Sequence, residues 1–399
     1  KHGIRCNTLS PSGVATDKLT DRFKKRYASR NAFKRMANVS DYAGPMIFLC
    51  SDASGYMTGA NLIVDGGWTA KWVVYCFPYL FDLKVILLAA GLGKRLEPVT
   101  SSLPKPMISV SGKPILEYII NDLKKSGFTD FCIVIGHLGE KIKKYFGDGT
   151  AFNIRISYVE QEIFSGTASA TKLARNFVND TSFLLYLADT IIPKNLTTHL
   201  ENMINSNYDM SILSSQIMPY QIGNVGNIEV ENNNIIKITE KDLNHKSPLG
   251  WSGIAFFKNN YIFKIIEKLN PSERGEFEIT DALNIILNNN RKIRNFTCET
   301  YVDSGTISGL LELNKIILNQ EKIIVQNDSK INPPVYIGKR CHIGKNVTLG
   351  PFVSIGNDVY IGDNVELKNS LILNNSKILQ NQNISNSLID ENENIISLK

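Results

Sequence analysis

The last stretch of the chain repeats with a period of six residues, and few sequence features restrict a fold as tightly. From Val335 the text divides as VYIGKR, CHIGKN, VTLGPF, VSIGND, VYIGDN, VELKNS, LILNNS and KILQNQ. An aliphatic residue stands third in every block, and Gly follows it in the first five. A short unit that recurs without insertion cannot bury an apolar side alone. It has to stack, each turn laying its aliphatic residue on the one before. The repeat therefore predicts a solenoid. The pattern fades after Asn364, and the Asn-rich remainder reads either as imperfect coils or as a fraying cap.

Hexapeptides of this kind resemble those of the left-handed parallel β-helix. Upstream, from Leu83 to about Gln320, the period changes. Short apolar runs such as KVILLAAG and FCIVIG alternate with helical patterns such as PILEYIINDLKKSG and EFEITDALNIILNNN. That alternation predicts an α/β sheet. A chain of 399 residues has room for two or three domains. The boundaries expected are 1–70, a junction at 71–82, 83–320 and 321–399.

Composition excludes several classes. Hydrophobic residues make up 43% and charged residues 21%, as in ordinary globular proteins. The net charge of +6 is spread along the chain without a basic run. It suits phosphorylated small ligands, and no nucleic-acid module is visible. The six cysteines form no C-x-x-C pair, which argues against a zinc site or a disulfide framework and fits a reducing cytoplasm. No signal peptide is seen at the start. Trp72–Gly91 is apolar, but Pro78, Asp82 and Lys84 interrupt it, and its second half reads better as a buried strand than as a membrane span.

The stretch that carries chemistry is LLAAGLGKRLEPVTSSLPKPMISVSGKPILEYII, Leu87–Ile120. A buried strand ends at a turn holding Gly91 and Gly93, where backbone N–H groups can approach a phosphate closely. Lys94 and Arg95 follow at once, and Lys105 stands between two prolines. Three cations beside exposed amides suit a triphosphate. The segment lacks the G-K-[ST] of a P-loop and the third Gly of a dinucleotide fingerprint.

These residues closely resemble the signature G-x-G-x-R-L-x-P-x-T…P-K-P of the sugar-1-phosphate nucleotidyltransferases. The likeness continues in order through YVEQEIFSGTASA, YLADTII, ITEKD, ERGEFEITDAL and YVDSGT. Ala188, Asp242 and Tyr301 depart from the residues common at their positions. The resemblance implies a Rossmann-like mixed sheet followed by the β-helix. It also implies transfer of a nucleotidyl group from a nucleoside triphosphate to a sugar 1-phosphate, with Mg2+ as cofactor. Arg95, Lys105 and Lys241 would be the catalytic cations: the first two on the triphosphate, the last on the sugar phosphate. Ala90, Gly91, Gly93, Gln161, Gly166 and Thr167 would bind the nucleotide, and Glu240 and Gly253 the sugar. Asp189 and Asp303 would hold the metal. Gln161 presents one donor and one acceptor, which suits uracil or thymine. In the family it resembles, a glutamine at this position goes with dTTP or UTP, which are the expected nucleotides, and glucose 1-phosphate is the first expectation for the sugar. A non-catalytic regulatory subunit is the alternative. His342 raises acyl transfer as a lesser option; the β-helix is expected to serve in homo-oligomerisation or regulation.

GIRCNTLSPSGVATD and DYAGPMIFLCSDASGYMTGANLIVDGGWTA resemble the C-terminal part of a short-chain dehydrogenase. A strand pattern opens this segment, a basic helical stretch covers Asp17–Lys34, and a second helix lies around Asp41–Ser51. That family's Gly-rich cofactor loop and Tyr-x-x-x-Lys pair are not found here, so hydride transfer is not expected of the chain as given. The chain reads as entering a domain midway, and this segment is expected to be poorly anchored. Either a longer bifunctional parent or the joining of adjacent genes would fit, and KWVVYCFPYLFD, being neither a polar linker nor a periodic element, favours the second.

Overall fold

Thr8–Pro11 (β1) and Asn61–Val64 (β2) run parallel, Thr8 opposite Asn61 and Pro11 opposite Val64. They belong to the first of two compact units, Lys1–Leu80 and Phe81–Lys399. The computed structural model describes residues 4–28, 33–69, 83–241, 243, 247–289, 291–320 and 330–398. The junction expected at 71–82 lies outside them.

In the first unit the helix expected from Asp17 begins at Asp21 and runs to Ala28. The Thr20 hydroxyl accepts the Phe23 N–H at 3.3 Å, so the start is set by a side-chain cap rather than by the charge pattern. The second helix spans Ala43–Cys50. Its end is held by Arg5, whose guanidinium donates to the Leu49, Ser51 and Ser54 carbonyl oxygens. Although its sequence is AGPMIFLC, none of its residues is buried, and Ile47 is 68% exposed.

The second unit is built on a nine-stranded mixed sheet. Its chain elements are Lys84–Leu88 (β3), the hairpin Ser109–Val110 (β4) and Lys113–Pro114 (β5), Asp130–Ile135 (β6), Arg155–Glu160 (β7), Phe183–Leu187 (β8), Thr190–Ile191 (β9), Met210–Gln216 (β10), Asn227–Glu231 (β11), Asn234–Thr239 (β12), Leu249–Phe257 (β13), Ile293–Thr297 (β14) and Val302–Asp303 (β15). The sheet order is β10-β14-β12-β11-β13-β8-β3-β6-β7, and β4–β5 and β9–β15 form two small ladders apart from it. The central strand β3 runs parallel to both its neighbours. Val85, Ile86 and Leu87 are wholly buried, because successive side chains point to opposite faces and both faces are covered. One cover is the helix Thr167–Leu173, whose buried Ala168 and Ala170 share a core with Ile86. In parallel sheets the loops beyond the carboxyl ends of the strands form the ligand crevice. Here the segments after β3, β7 and β8 carry Gly91–Arg95, Gln161 and Asp189.

The repeat folds as the left-handed parallel β-helix that its text resembles, with three ladders of parallel strands. One ladder stacks Ile337, Ile355, Ile372 and Ile389. The strict six-residue division does not survive to the end. Val335 pairs with Val353, eighteen positions on, but Val353 pairs with Ser370, only seventeen on. The corner at Asn369 uses one residue fewer, and this slips the inward position. Leu379, placed inward by the division, is 48% exposed, whereas Ile378 beside it is 1% exposed. The Asn-rich remainder forms coils rather than a frayed end. Asn346, Asn364 and Asn381 take left-handed backbone at corners, which asparagine tolerates better than most residues. Their side chains stack in a ladder, Asn346 Nδ2 donating to Asn364 Oδ1 at 3.2 Å and Asn364 Nδ2 to Asn381 Oδ1 at 3.0 Å. Ile395–Ser397 closes the stack as an antiparallel strand.

Candidate active site

A cleft of about 510 Å³ opens beside the end of β3. Ala90, Gly91, Gly93, Arg95, Lys105, Gln161, Gly166, Thr167, Asp189, Glu240, Lys241, Gly253 and Asp303 all line it. Every residue assigned to nucleotidyl transfer is thus brought to one place, from segments as far apart as Ala90 and Asp303, whereas His342 lies outside the cleft, stacked on Tyr360 of the solenoid.

The phosphate-type loop leaves β3 through Ala89, whose N–H donates to the Val134 carbonyl at 2.8 Å. Gly93 has φ +70°, and a Cβ there would lie 2.8 Å from the Thr100 methyl. The loop closes with the Thr100 hydroxyl donating to the Gly93 carbonyl at 3.0 Å. This turn aims Arg95 across the cleft, where it donates to Asn224 Oδ1 at 2.7 Å.

The two aspartates are neighbours through backbone pairing. β15 runs antiparallel to β9, with Asp303 opposite Thr190. The Ser304 N–H and hydroxyl both donate to the Asp189 carbonyl, at 2.8 and 2.7 Å. Lys105 forms an ion pair with the Asp189 carboxylate, and Arg95 Nη2 lies 3.8 Å from Asp303 Oδ2. Gly305 makes room for this convergence. A Cβ there would sit 2.7 Å from Arg95 Nη2, 2.8 Å from Asp303 Oδ1 and 3.4 Å from Lys105 Nζ. The carboxyls titrate oppositely. Burial opposes ionisation of Asp189, but the charges of Lys105 and Arg95 outweigh it and hold the group below its usual range. Burial and then the Asp189 charge push Asp303 up.

The far wall comes from other segments. Gly166 has φ +109°, and a Cβ there would lie 2.5 Å from the Phe277 carbonyl oxygen, so this close crossing requires glycine. The Gln161 amide, 6% exposed, donates to the Gly166 carbonyl at 3.2 Å. Thr167 Oγ1 accepts the Ile279 N–H at 3.0 Å. Glu240 accepts the Thr280 hydroxyl at 3.0 Å and lies 3.5 Å from Lys241 Nζ. Lys241 itself has φ +48°. Gly253, with φ +80°, lets β13 pass over Leu187.

Some lining residues carry no role in the sequence reading. Arg274 reaches Glu278 at 3.2 Å and lies within the ERGEFEITD stretch, so its signal was available. Phe164 lies within the YVEQEIFSGTASA stretch, whereas Asn224 and Trp251 belong to no motif and are recruited by folding alone. Glu278 is 3% exposed, and burial, then the Glu240 charge, push its carboxyl up to about 7. A folded-state value above the usual 4.5 means that the folded chain holds an extra proton between those values, so this group's contribution to stability is lost as pH rises through that window. Glu278→Gln is expected to leave the melting temperature unchanged at pH 4 and to raise stability by about 2 kcal/mol at pH 8, as thermal melts at the two pH values would show.

Residues 84–320 match the nucleotidyl transferase family, residues 331–398 the GMPPB C-terminal domain, and residues 1–69 the enoyl-(acyl carrier protein) reductase family. The low-salt glycan biosynthesis nucleotidyltransferase Agl11 of Haloferax volcanii is 32% identical over 244 residues, covering 60% of this chain and 68% of that protein. A glucose-1-phosphate thymidylyltransferase of Streptomyces antibioticus is 28% identical, covering 59% of this chain and 66% of that one. The bifunctional protein GlmU of Methanococcus aeolicus is 36% identical, covering 60% of this chain and 56% of its own length. A solved Bacillus anthracis structure described as a glucose-1-phosphate thymidylyltransferase superposes with a TM-score of 0.54 at 28% identity, over 61% of this chain and 98% of that one. The chain belongs to the nucleotidyl transferase family. Within it, the relatives place the chain among nucleotidyltransferases of the sugar-phosphate kind. No helix among the described residues is long and apolar enough to cross a membrane.

Proposed function

We propose that the cleft transfers a nucleotidyl group from dTTP or UTP to glucose 1-phosphate, releasing pyrophosphate. The observation that carries this reading is the convergence of Arg95 and Lys105 on Asp189 and Asp303 beside the Gly91–Gly93 loop. The sugar phosphate is its own nucleophile: its oxygen bonds to the α-phosphorus, the bond to the β-phosphate oxygen breaks, and the pair of electrons leaves with pyrophosphate. Such a reaction needs positioning and charge neutralisation rather than a protein nucleophile. Arg95 and Lys105 neutralise the charge that grows on the leaving pyrophosphate. Lys241 holds the sugar phosphate, Glu240 and the backbone at Gly253 meet sugar hydroxyls, and Gln161 reads the pyrimidine edge. In that state the Gln161 amide exchanges its bond to Gly166 for one to the base.

The residues present fit Mg2+. Five cations (Lys94, Arg95, Lys105, Lys241, Arg274) and five acids (Asp189, Glu240, Glu276, Glu278, Asp303) line the cleft, so its own charge offers a triphosphate little net compensation. Asp189 and Asp303 supply hard oxygen donors, and their mutual repulsion favours a cation between them. No group of three or more His, Cys, Asp or Glu able to hold a metal occurs among the described residues, so the remaining ligands would come from phosphate and water. Bound there, the ion would add positive charge against the phosphates.

The test is pyrophosphate release with nucleoside triphosphates crossed against sugar 1-phosphates. Turnover is expected with dTTP or UTP plus glucose 1-phosphate, and chelation of the metal with EDTA should abolish it until Mg2+ is restored. No release with any pair would overturn the reading.

A further inference from the structure

We infer that the β-helix acts as a clamp on the catalytic centre, with Ser354 as its positioning residue; the inference rests on the nucleotidyl-transfer reading. Three buried polar side chains from three elements meet at one point. Ser111, 4% exposed, is at the tip of the β4–β5 hairpin; Asn314, wholly buried, is on the helix Ile307–Gln320; Ser354, 3% exposed, is on the solenoid strand Val353–Ile355. The Ser354 hydroxyl donates to Asn314 Oδ1 at 2.6 Å, which leaves it to accept from the Ser111 hydroxyl at 3.1 Å. Asn314 Nδ2 in turn donates to the Phe352 carbonyl at 3.0 Å. One solenoid hydroxyl thus ties the hairpin to the helix.

Both segments lead directly to the cleft. The hairpin follows Lys105: the Ile108 N–H donates to the Lys105 carbonyl at 3.1 Å, and Ile108 in turn accepts the Ile115 N–H at 3.1 Å. The helix follows Asp303. A Cβ at Gly309 would overlap the Asp303 carbonyl oxygen, so the first turn of the helix is pressed against the backbone of that aspartate. The same clamp is reinforced at Gly112, where a Cβ would overlap the hydroxyl of Tyr336 on the solenoid. Lys105 and Asp303 are the groups whose separation must be kept for charge to be neutralised in the transition state. A network buried in three elements holds one geometry, because leaving any member unpaired is costly.

Ser354→Ala deletes one oxygen and breaks both hydroxyl bonds. It is expected to lower kcat about tenfold while changing the KM for the nucleotide less than about twofold, since misplacement by a fraction of an ångström acts on the transition state. Hydrogen exchange of the intact chain supplies a reading independent of turnover. In Ser354→Ala, the amides of Met107 and Ile108 and of Ser304 and Gly305, all hydrogen-bonded in the parent, are expected to exchange about tenfold faster, with those of β3 unchanged. Tyr360→Ala, on a different solenoid ladder, is the control and should alter neither segment. Unchanged kcat, or unchanged exchange at both segments, overturns the clamp. An inactive parent chain would overturn the catalytic reading alone, and the exchange comparison would still decide the clamp.

Discussion

Lys105→Ala is expected to lower kcat about a thousandfold, the scale observed when a preorganised charge is removed from a transition state. The loss has two parts. The leaving pyrophosphate forfeits a cation, and Asp189 forfeits the ion pair that keeps it ionised in a buried place. The charge of Arg95, 3.8 Å from Asp303, remains beside the two carboxyls. Lys105→Arg should recover only part of the rate, because a planar fork cannot occupy the position of a compact ammonium. Steady-state pyrophosphate release at saturating substrate is the measurement. A Lys105→Ala chain within about threefold of the parent would remove Lys105 from the transition state.

The second large effect concerns stability. Ile361 is wholly buried in the solenoid, stacked between Ile343 and Ile378. Ile361→Asp is expected to destabilise the coils by at least about 4 kcal/mol, because the carboxylate meets only aliphatic neighbours and has no partner. The solenoid is quasi-one-dimensional, so the damage should spread to the neighbouring coils first. Amide exchange of residues 335–389 would show it. Substituting aspartate at Leu379, which faces solvent, should leave protection unchanged.

That pair of positions shows where sequence reading stopped. Up to Leu367 the aliphatic third position is the inward one. Beyond it the corner at Asn369 loses a residue, and the strand pairing shows the slip in all three ladders, as in Val353 with Ser370, Ile361 with Ile378 and Leu367 with Ile384. Text cannot reveal it, because LILNNS offers aliphatic residues at three consecutive positions. The asparagines are ambiguous for the same reason: they suit turns, frayed ends and coil corners alike. In the first unit the charge pattern placed a helix start at Asp17, and a hydroxyl at Thr20 moved it.

The site was legible as a set of segments, since close backbone approach to phosphate demands glycine, and charge neutralisation demands cations and carboxylates. These are local chemical requirements, written as residue types at fixed spacing. Asn224 and Trp251 left no such mark, because a side chain that merely borders a cleft is subject to no spacing rule.

The sequence by itself determined the class of each region: a repeat that must stack, an alternation that must form a sheet, and a glycine-rich turn with cations beside it. Local periodicity and residue chemistry suffice for that. Tertiary structure alone decided that Asp303 lies opposite Thr190, that Arg95 and Lys105 converge at Gly305, and that one serine of the solenoid joins the hairpin after Lys105 to the helix after Asp303. Those are contacts between residues up to hundreds of positions apart. They are set by strand register and by the need of each buried polar group for a partner, neither of which is written in any one stretch of the chain.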